Sequence, residues 1–222
     1  MSGYCSIILM ALNMSWLALT PAHASTTTCA EIFKTPLTRE QVALSAADSE
    51  TIKTYIFQGP IINFYLRNVG NPADAVITKA LFETNGLDEG KVQTILLNLD
   101  RVLEQQGLSQ VRQTVYRGEG RPNDGSLRVG ARLLYPNYIS TTRDKSLAMA
   151  YANGNAQGLK VLYEITVDQG QPGAQINLLA PKGVRNQDEF LLARNGTLVV
   201  SELTVVDGVT YVKATYRSHA DE

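Results

Sequence analysis

Histidine and cysteine are almost absent from this chain. It contains two of each, and Cys5 and His23 fall in an N-terminal segment that has the features of a signal peptide. The remaining Cys29 has no partner for an intrachain disulfide, and His219 stands alone near the C-terminus. Zinc sites, Ser-His-Asp triads and Cys-His dyads need these side chains, so the composition disfavours them. We expect chemistry that uses carboxylates, arginines, hydroxyls and amides, without a metal.

The chain also lacks an excess of charge of either sign and a long hydrophobic run. Lysine and arginine number 20 against 21 aspartates and glutamates, for a net charge of −1. This balance gives no sign of a nucleic-acid-binding surface, so nucleic acid is disfavoured as a partner. Residues 7–19 are mostly apolar but too few to cross a bilayer, so no membrane span is expected.

The N-terminal segment predicts export. Its apolar stretch is followed by Ala22-His23-Ala24, an A-x-A cleavage signal, although the residues before the stretch include no lysine or arginine. We interpret residues 1–24 as a signal peptide cleaved after Ala24, which makes the protein secreted. Residues 25–222 then form a single domain of roughly 200 residues, long enough for its own core.

The first part of that domain, about residues 38–106, has helical patterns. Thr38 to Gln41 form a capping box, and Asn71-Pro72 is typical of an N-cap followed by the first helical position. Apolar residues at helical spacing predict a further helix that ends at Gly107: Val92, Ile95, Leu96, Leu99 and Leu103.

The second part, about residues 111–217, has strand patterns. Asp207-Gly208 is a two-residue hairpin signal, and only residues 144–152 have a helical pattern. The predicted strands are 111–117, 127–134, 137–142, 159–167, 174–179, 187–193, 197–206 and 209–217. Helices followed by strands predict an α+β fold, with an N-terminal helical lobe packed on a mixed or antiparallel β-sandwich core.

Two stretches carry cations in a setting that suits an anion. Asn63 and Arg67 are four residues apart on one helix face, although an amphipathic core helix explains this spacing equally. Arg117 ends an apolar strand before Gly118, which would let backbone approach a ligand. The alternative is an exposed arginine before an ordinary turn. Pro122 and the strand that follows exclude a dinucleotide-binding helix N-terminus.

Two further stretches carry hydroxyl, amide and carboxylate groups. Ser140-Thr141-Thr142 could lock a neighbouring strand or carboxylate, or could simply be β-favouring residues at a strand end. If a strand starts at Gln187, alternation places Gln187 and Glu189 on one face and Asp188 on the other. A polar strand end is the plain alternative.

Arginine, then Ser-Thr-Thr, then Gln-x-Glu, in this order on successive strands behind a helical lobe, resembles the Arg-Ser-Glu class of bacterial mono-ADP-ribosyltransferase toxins. Within that class the chain is most similar to the Rho-modifying exoenzymes. The resemblance runs from about Thr38 to the C-terminus and includes Asn63-x-x-Leu66-Arg67 and Asn137. Each motif is short, and the order and spacing of the set carry the resemblance.

The resemblance implies that NAD is the substrate that supplies ADP-ribose. Arg117 would hold an NAD phosphate and the adjoining ribose, and the Gly118 backbone would hold the nicotinamide amide. Asn63 and Arg67 would contact the phosphate side, and Asn137 would line the same site.

The resemblance also implies the catalytic roles. Ser140 would orient Glu189, and Glu189 would stabilise the ribosyl cation that forms as nicotinamide leaves. Gln187 would position the acceptor on a host or target-cell protein. Asparagine is favoured as that acceptor over arginine, because arginine-modifying relatives carry glutamate where Gln187 stands. Arginine remains open as the second choice.

The sequence departs from the Rho-modifying pattern in two places. Thr142 replaces the usual serine, and the loop at 180–186 lacks the aromatic residue with which those enzymes dock their target. A plain NAD glycohydrolase and a catalytically inactive NAD-fold binding module are the alternative functions. No segment resembles a translocation or receptor-binding domain, which leaves three routes open: entry into a target cell with a translocation partner, action on neighbouring cells, or action outside the cell.

The A-x-A pattern predicts that the exported protein starts at Ser25. N-terminal sequencing of protein recovered from culture medium checks this cleavage site. Recovery of protein that still begins at Met1 would contradict it.

Overall fold

The computed structural model describes residues 44–105, 109, 111–154, 158–179 and 188–219. These residues belong to one compact unit, Gln41–Glu222. The other unit, Met1–Glu40, lies outside the described residues, as do the predicted signal peptide, the Thr38–Gln41 capping box and Gly107.

Three helices come first, α1 (Ala46–Asn68), α2 (Pro72–Thr84) and α3 (Glu89–Gln105). The Ser45 hydroxyl caps α1 by accepting a hydrogen bond from the Asp48 backbone N–H at 3.1 Å. Asn71 caps α2 and Pro72 is its first residue, as the sequence predicts. The helices pack on one another and on the sheet, and α3 buries the apolar face that its spacing predicts.

Eight strands follow, β1 (Gln113–Arg121), β2 (Arg132–Tyr135), β3 (Ile139–Thr142), β4 (Leu159–Val167), β5 (Gly173–Gln175), β6 (Glu189–Leu192), β7 (Gly196–Val206) and β8 (Val209–Arg217). They are hydrogen-bonded in the order β2-β7-β8-β4-β1-β3-β6-β5. Only the β4–β8 pair is parallel. Two short helices, α4 (Lys145–Gly154) and α5 (Ile176–Leu179), lie between strands. The α+β class is therefore confirmed.

The sheet has one weak junction. β1 pairs with β4 along its whole length, from Gln113 to Arg121. With β3 it pairs at a single position, Tyr116 opposite Thr142. Beyond Tyr116, β1 is therefore hydrogen-bonded to a neighbouring strand on the β4 side alone. The side chains that follow Tyr116 on β1 lie at the point where β1 and β3 part.

Several predicted boundaries are wrong, among them the start of the strand predicted at 127–134, which begins at Arg132. Three of the errors have local reasons. Ile176–Leu179 forms α5 and not the second half of a strand, because a short apolar run fits either structure. β1 continues past 117 to Arg121, although two glycines interrupt its apolar pattern. β6 starts at Glu189, because Asp188 has a φ of +52° and cannot extend the strand backwards. Among the described residues, no helix combines the length and apolar character needed to cross a membrane.

Gly118 has a packing reason to be glycine. A Cβ at this position would lie 1.7 Å from the Ala148 carbonyl oxygen and 2.6 Å from the Ala152 nitrogen, both backbone atoms of α4. Helix α4 can therefore lie directly on β1 only because residue 118 has no side chain.

Gly118→Ala should lower the free energy of unfolding by about 1–3 kcal/mol or more, because backbone atoms cannot move aside as a flexible side chain can. Gly154→Ala is the matched control, since a Cβ there meets nothing within 4 Å and alanine favours a helix. Urea unfolding of both variants measures the effect. Equal stability of Gly118→Ala and the wild type would contradict the close approach.

Candidate active site

Arg117 lies on β1 immediately after the junction. Its Nη1 donates to the Ser140 carbonyl oxygen of β3 at 2.9 Å, and its Nε donates to Glu119 Oε2 at 2.9 Å. The guanidinium also lies 5.8 Å from the centre of the Tyr135 ring. Burial alone would lower the pKa of Arg117, but Glu119 and the neighbouring tyrosines outweigh it and raise that pKa above its usual value. Arg117 is therefore a fixed, permanently charged group.

Ser140 and Glu189 meet on the neighbouring strands. Ser140 lies opposite Leu191, and Thr142 lies opposite Glu189, so these four side chains share one face of the β3–β6 pair. The Ser140 hydroxyl is therefore positioned beside the Glu189 carboxylate. Burial raises the pKa of Glu189 above its usual range, although Ser140 and Arg117 both act to lower it.

The two threonines beside Ser140 hold the strand in place. Thr141 donates its hydroxyl to the Phe190 carbonyl oxygen across the β3–β6 pair. Thr142 accepts from the Asp144 backbone N–H at 3.0 Å, at the start of α4. Thr141 thus contacts a neighbouring strand and Thr142 contacts a turn.

Helix α1 brings Tyr55 to the same place. Tyr55 is 2% exposed, its hydroxyl accepts from Asn63 Nδ2 at 3.0 Å, and its ring packs edge-on against Tyr138 at 5.4 Å. Burial raises the pKa of Tyr55, and the nearby Glu189 charge raises it further. The phenol therefore stays protonated beside the carboxylate.

Arg67 of α1 lies near enough to Arg117 for the Arg117 charge to act on its pKa. Arg67 lies on the exposed side of α1, and in the described part of the chain no carboxylate forms an ion pair with it. Partial loss of solvation lowers the pKa of Arg67, and the Arg117 charge lowers it further. An anion bound between the two guanidiniums would offset the unfavourable effect of the Arg117 charge on Arg67.

Two amide oxygens near the site have no hydrogen-bond partner among the described residues. The Oδ1 atoms of Asn63 and Asn137 are buried and accept no hydrogen bond, while each Nδ2 is used: that of Asn137 donates to the Tyr138 carbonyl oxygen at 2.7 Å. Leaving a buried acceptor unpaired typically costs about 1–3 kcal/mol, which a bound hydroxyl or amide donor would recover.

The structure brings together most of the residues that the sequence singles out. Asn63 and Arg67 lie on α1 near Arg117, Ser140 and Glu189, whereas Asn137 contacts its own neighbour and is linked to the group through Tyr138. Gln187 lies outside the described residues. The proposed contact of Gly118 with a nicotinamide stays a prediction; its contact with α4 accounts for the glycine.

Sequence reasoning missed Glu119 and the groups around it. Glu119 Oε1 accepts from the Tyr135 hydroxyl at 2.8 Å and from Arg121 Nη1 at 3.4 Å. Arg121 Nη1 also lies 3.2 Å from the Tyr163 hydroxyl. The alternation Arg117-x-Glu119-x-Arg121 on one strand face was the available signal. It also missed the electrostatic interaction of Tyr55 with Glu189, which no local pattern encodes.

The arrangement places the Glu189 carboxylate beside Arg117, with Arg67 and the unpaired amide oxygens of Asn63 and Asn137 nearby. Such a site can bind an anionic ligand and stabilise positive charge that develops next to the carboxylate. Within the described ranges, no group of three or more His, Cys, Asp or Glu side chains could hold a metal ion.

Several solved structures share this fold. Vis, an ADP-ribosyltransferase from Vibrio splendidus, in complex with agmatine, aligns with a TM-score of 0.62 at 20% identity, over 81% of this chain and 78% of Vis. Plx2a, an ADP-ribosyltransferase toxin from Paenibacillus larvae, aligns with 0.59 at 19% identity, over 79% and 88%. An ADP-ribosyltransferase from Clostridium botulinum gives 0.58 at 18% identity, over 79% and 88%.

No protein of curated function matches the sequence. The sequence model of one family, the ADP-ribosyltransferase exoenzymes, matches residues 34–219, most of the chain. Its match includes both the helices and the strands that build the site. The chain therefore belongs to the ADP-ribosyltransferase exoenzyme family and is an NAD-dependent mono-ADP-ribosyltransferase.

Proposed function

We propose that this protein transfers ADP-ribose from NAD to a side chain of a target-cell protein, with release of nicotinamide, and that Glu189 is its catalytic carboxylate. The observation that carries the proposal is the position of Glu189. It shares one face of the β3–β6 pair with Ser140, its charge acts on Tyr55, and Arg117, which donates to the Ser140 carbonyl oxygen, acts on it through its own charge.

The residues around the junction fit NAD. The NAD pyrophosphate is an anion that Arg67 and Arg117 would share, which would relieve the unfavourable interaction between them. The free Oδ1 atoms of Asn63 and Asn137 suit the hydroxyl and amide donors of NAD. Exoenzyme S from Pseudomonas aeruginosa has been solved with carba-NAD, and BECa from C. perfringens with NADH, and both share this fold.

Glu189 would act by its charge. Nicotinamide leaves as a neutral molecule, so no acid is needed to expel it, and the positive charge that appears on the ribosyl carbon is what the site must stabilise. An ionised carboxylate fixed by Ser140 and removed from bulk water does this better than one that is free in solvent. The same burial explains why the ionised form is costly in the resting protein.

We assign acceptor choice to Gln187, two residues before Glu189 in the sequence. An amide can exchange paired hydrogen bonds with an asparagine side chain, so asparagine is the favoured acceptor. The complex of Vis with agmatine, a guanidine, makes arginine the second acceptor class to test. The target is proposed to be a host protein, reached after export with cleavage behind Ala24 and with a translocation partner.

Glu189→Gln should be more stable than the wild type at pH 7, because it removes a buried charge. Burial raises the pKa of Glu189 above the unfolded value of about 4.3, so the wild type gains stability as it takes up the proton. The difference should narrow as pH falls through the raised pKa and vanish below about pH 4.3. Urea unfolding across this range measures it, with the exposed Glu202→Gln as control. If Glu189→Gln is less stable than the wild type at pH 7, the proposed cost of burying the Glu189 charge is contradicted.

Glu189→Gln should also abolish both transfer and NAD hydrolysis, since a neutral amide cannot stabilise the ribosyl cation. Gln187→Ala should lower transfer to protein but leave slow hydrolysis, because water needs little positioning. Gln187→Glu should keep hydrolysis and admit small guanidines, which a carboxylate binds by paired hydrogen bonds. Nicotinamide release and labelled-protein formation from a cell lysate are measured for each variant.

This experiment also separates the alternatives. Nicotinamide release without any labelled protein indicates a glycohydrolase, and no release by the wild type indicates an inactive module. Loss of hydrolysis in Gln187→Ala as complete as in Glu189→Gln would refute the division of roles between the two residues.

A further inference from the structure

Glu119 is fixed by hydrogen bonds from three neighbouring side chains. Its side chain is 15% exposed, and both carboxylate oxygens accept hydrogen bonds. Oε2 binds Arg117 Nε at 2.9 Å, and Oε1 binds the Tyr135 hydroxyl at 2.8 Å and Arg121 at 3.4 Å. Arg117 and Arg121 together hold the pKa of Glu119 below its usual range, against the effect of burial. The residue is thus a permanent anion with a fixed position.

The site contains a second anion that could take its place. Glu189 is near enough for the Arg117 charge to act on its pKa, yet Arg117 makes its ion pair with Glu119 and its other hydrogen bond with the Ser140 carbonyl. Opposite charges attract each other more strongly at contact distance where water is partly excluded than they do in bulk water. Without a competing partner, the Arg117 guanidinium would be drawn to Glu189.

An Arg117–Glu189 pair would harm both groups. The carboxylate would have its charge compensated before any positive charge develops on a substrate, and it would compete with Ser140 for its own orientation. The guanidinium would spend on Glu189 the N–H groups that otherwise face an anionic ligand. Both consequences follow from the chemistry of the pair alone.

We propose that Glu119 is a positioning residue that holds Arg117 away from Glu189, so that Arg117 and Glu189 do not pair with each other before substrate arrives. This role rests on the proposed function of Glu189 and Arg117. Arg121 and Tyr135 hydrogen-bond Glu119, and Tyr163 accepts a hydrogen bond from Arg121, so the Arg117–Glu119–Arg121 row keeps a net positive charge beside the anion site.

The groups that face Glu189 in the described structure come from three elements. Ser140 of β3 shares its sheet face and acts to lower its pKa, Arg117 of β1 acts through its charge, and the Tyr55 hydroxyl of α1 is near enough to feel the Glu189 charge. Of these, Arg117 is the only cation. A change in how closely Arg117 approaches should therefore appear directly in the titration of Glu189.

The test is the titration of Glu189 in the protein without substrate, followed by NMR of ¹³C-labelled glutamate and assigned with Glu189→Gln. Glu119→Gln keeps the shape but loses the charge that holds Arg117, so the pKa of Glu189 should fall by about one unit or more as Arg117 approaches. Glu119→Asp keeps the charge and should restore the wild-type titration. Glu202→Gln removes one charge from an exposed pair and should change nothing.

A pKa of Glu189 that is unchanged or higher in Glu119→Gln would overturn the proposal. Should that variant fail to fold, Tyr135→Phe removes one donor that fixes Glu119 and should produce a smaller fall in the same direction; no fall there would equally overturn it. Nicotinamide release is measured on the same samples. Its absence in the wild type would refute the proposed function, while the titration decides the role of Glu119 independently.

Discussion

The hydrogen bonds of one guanidinium hold the centre of this molecule together. Arg117 joins β1 to β3 through the Ser140 carbonyl at the point where backbone pairing between the two strands has ended. It is anchored on its other side by Glu119. Since β3 pairs with β6, the same interaction sets the distance between Arg117 and Glu189. The site thus lies where a side-chain hydrogen bond takes over from backbone pairing between β1 and β3.

The helices fix the far ends of the same two strands. Asp100 of α3 accepts from the Tyr138 hydroxyl at 2.6 Å and from Arg194 Nη2 at 2.7 Å. Tyr138 immediately precedes β3, and Arg194 closely follows β6, so one carboxylate ties both strands to the helical part. Tyr138 also packs on Tyr55, which lies beside Glu189. Stability and site geometry therefore depend on shared contacts, and the buried charge of Glu189 is accommodated within them.

Much of the fold follows from local pattern. β4 and β8 occupy the residues that alternation predicts, and Asp207-Gly208 forms the expected turn with positive φ at both positions. The pattern fails where two structures share one signal, as in Ile176–Leu179, or where glycines interrupt a strand, as after Arg117. Ending β1 there hid the alternation that includes Glu119. The contact of Tyr55 with Glu189 joins residues far apart in the chain, and only the tertiary structure could show it.

We propose that the site beside Arg117 binds NAD. Calorimetric titration of NAD into the wild type and into Arg117→Lys tests it most directly, with thermal unfolding to show that both are folded. Lysine keeps the charge but loses the fork that binds Glu119, Ser140 and a phosphate together. We expect affinity to fall by roughly ten- to a hundredfold, the loss of one charge-assisted hydrogen bond. Equal affinity of the two proteins, or no binding by the wild type, would contradict the claim.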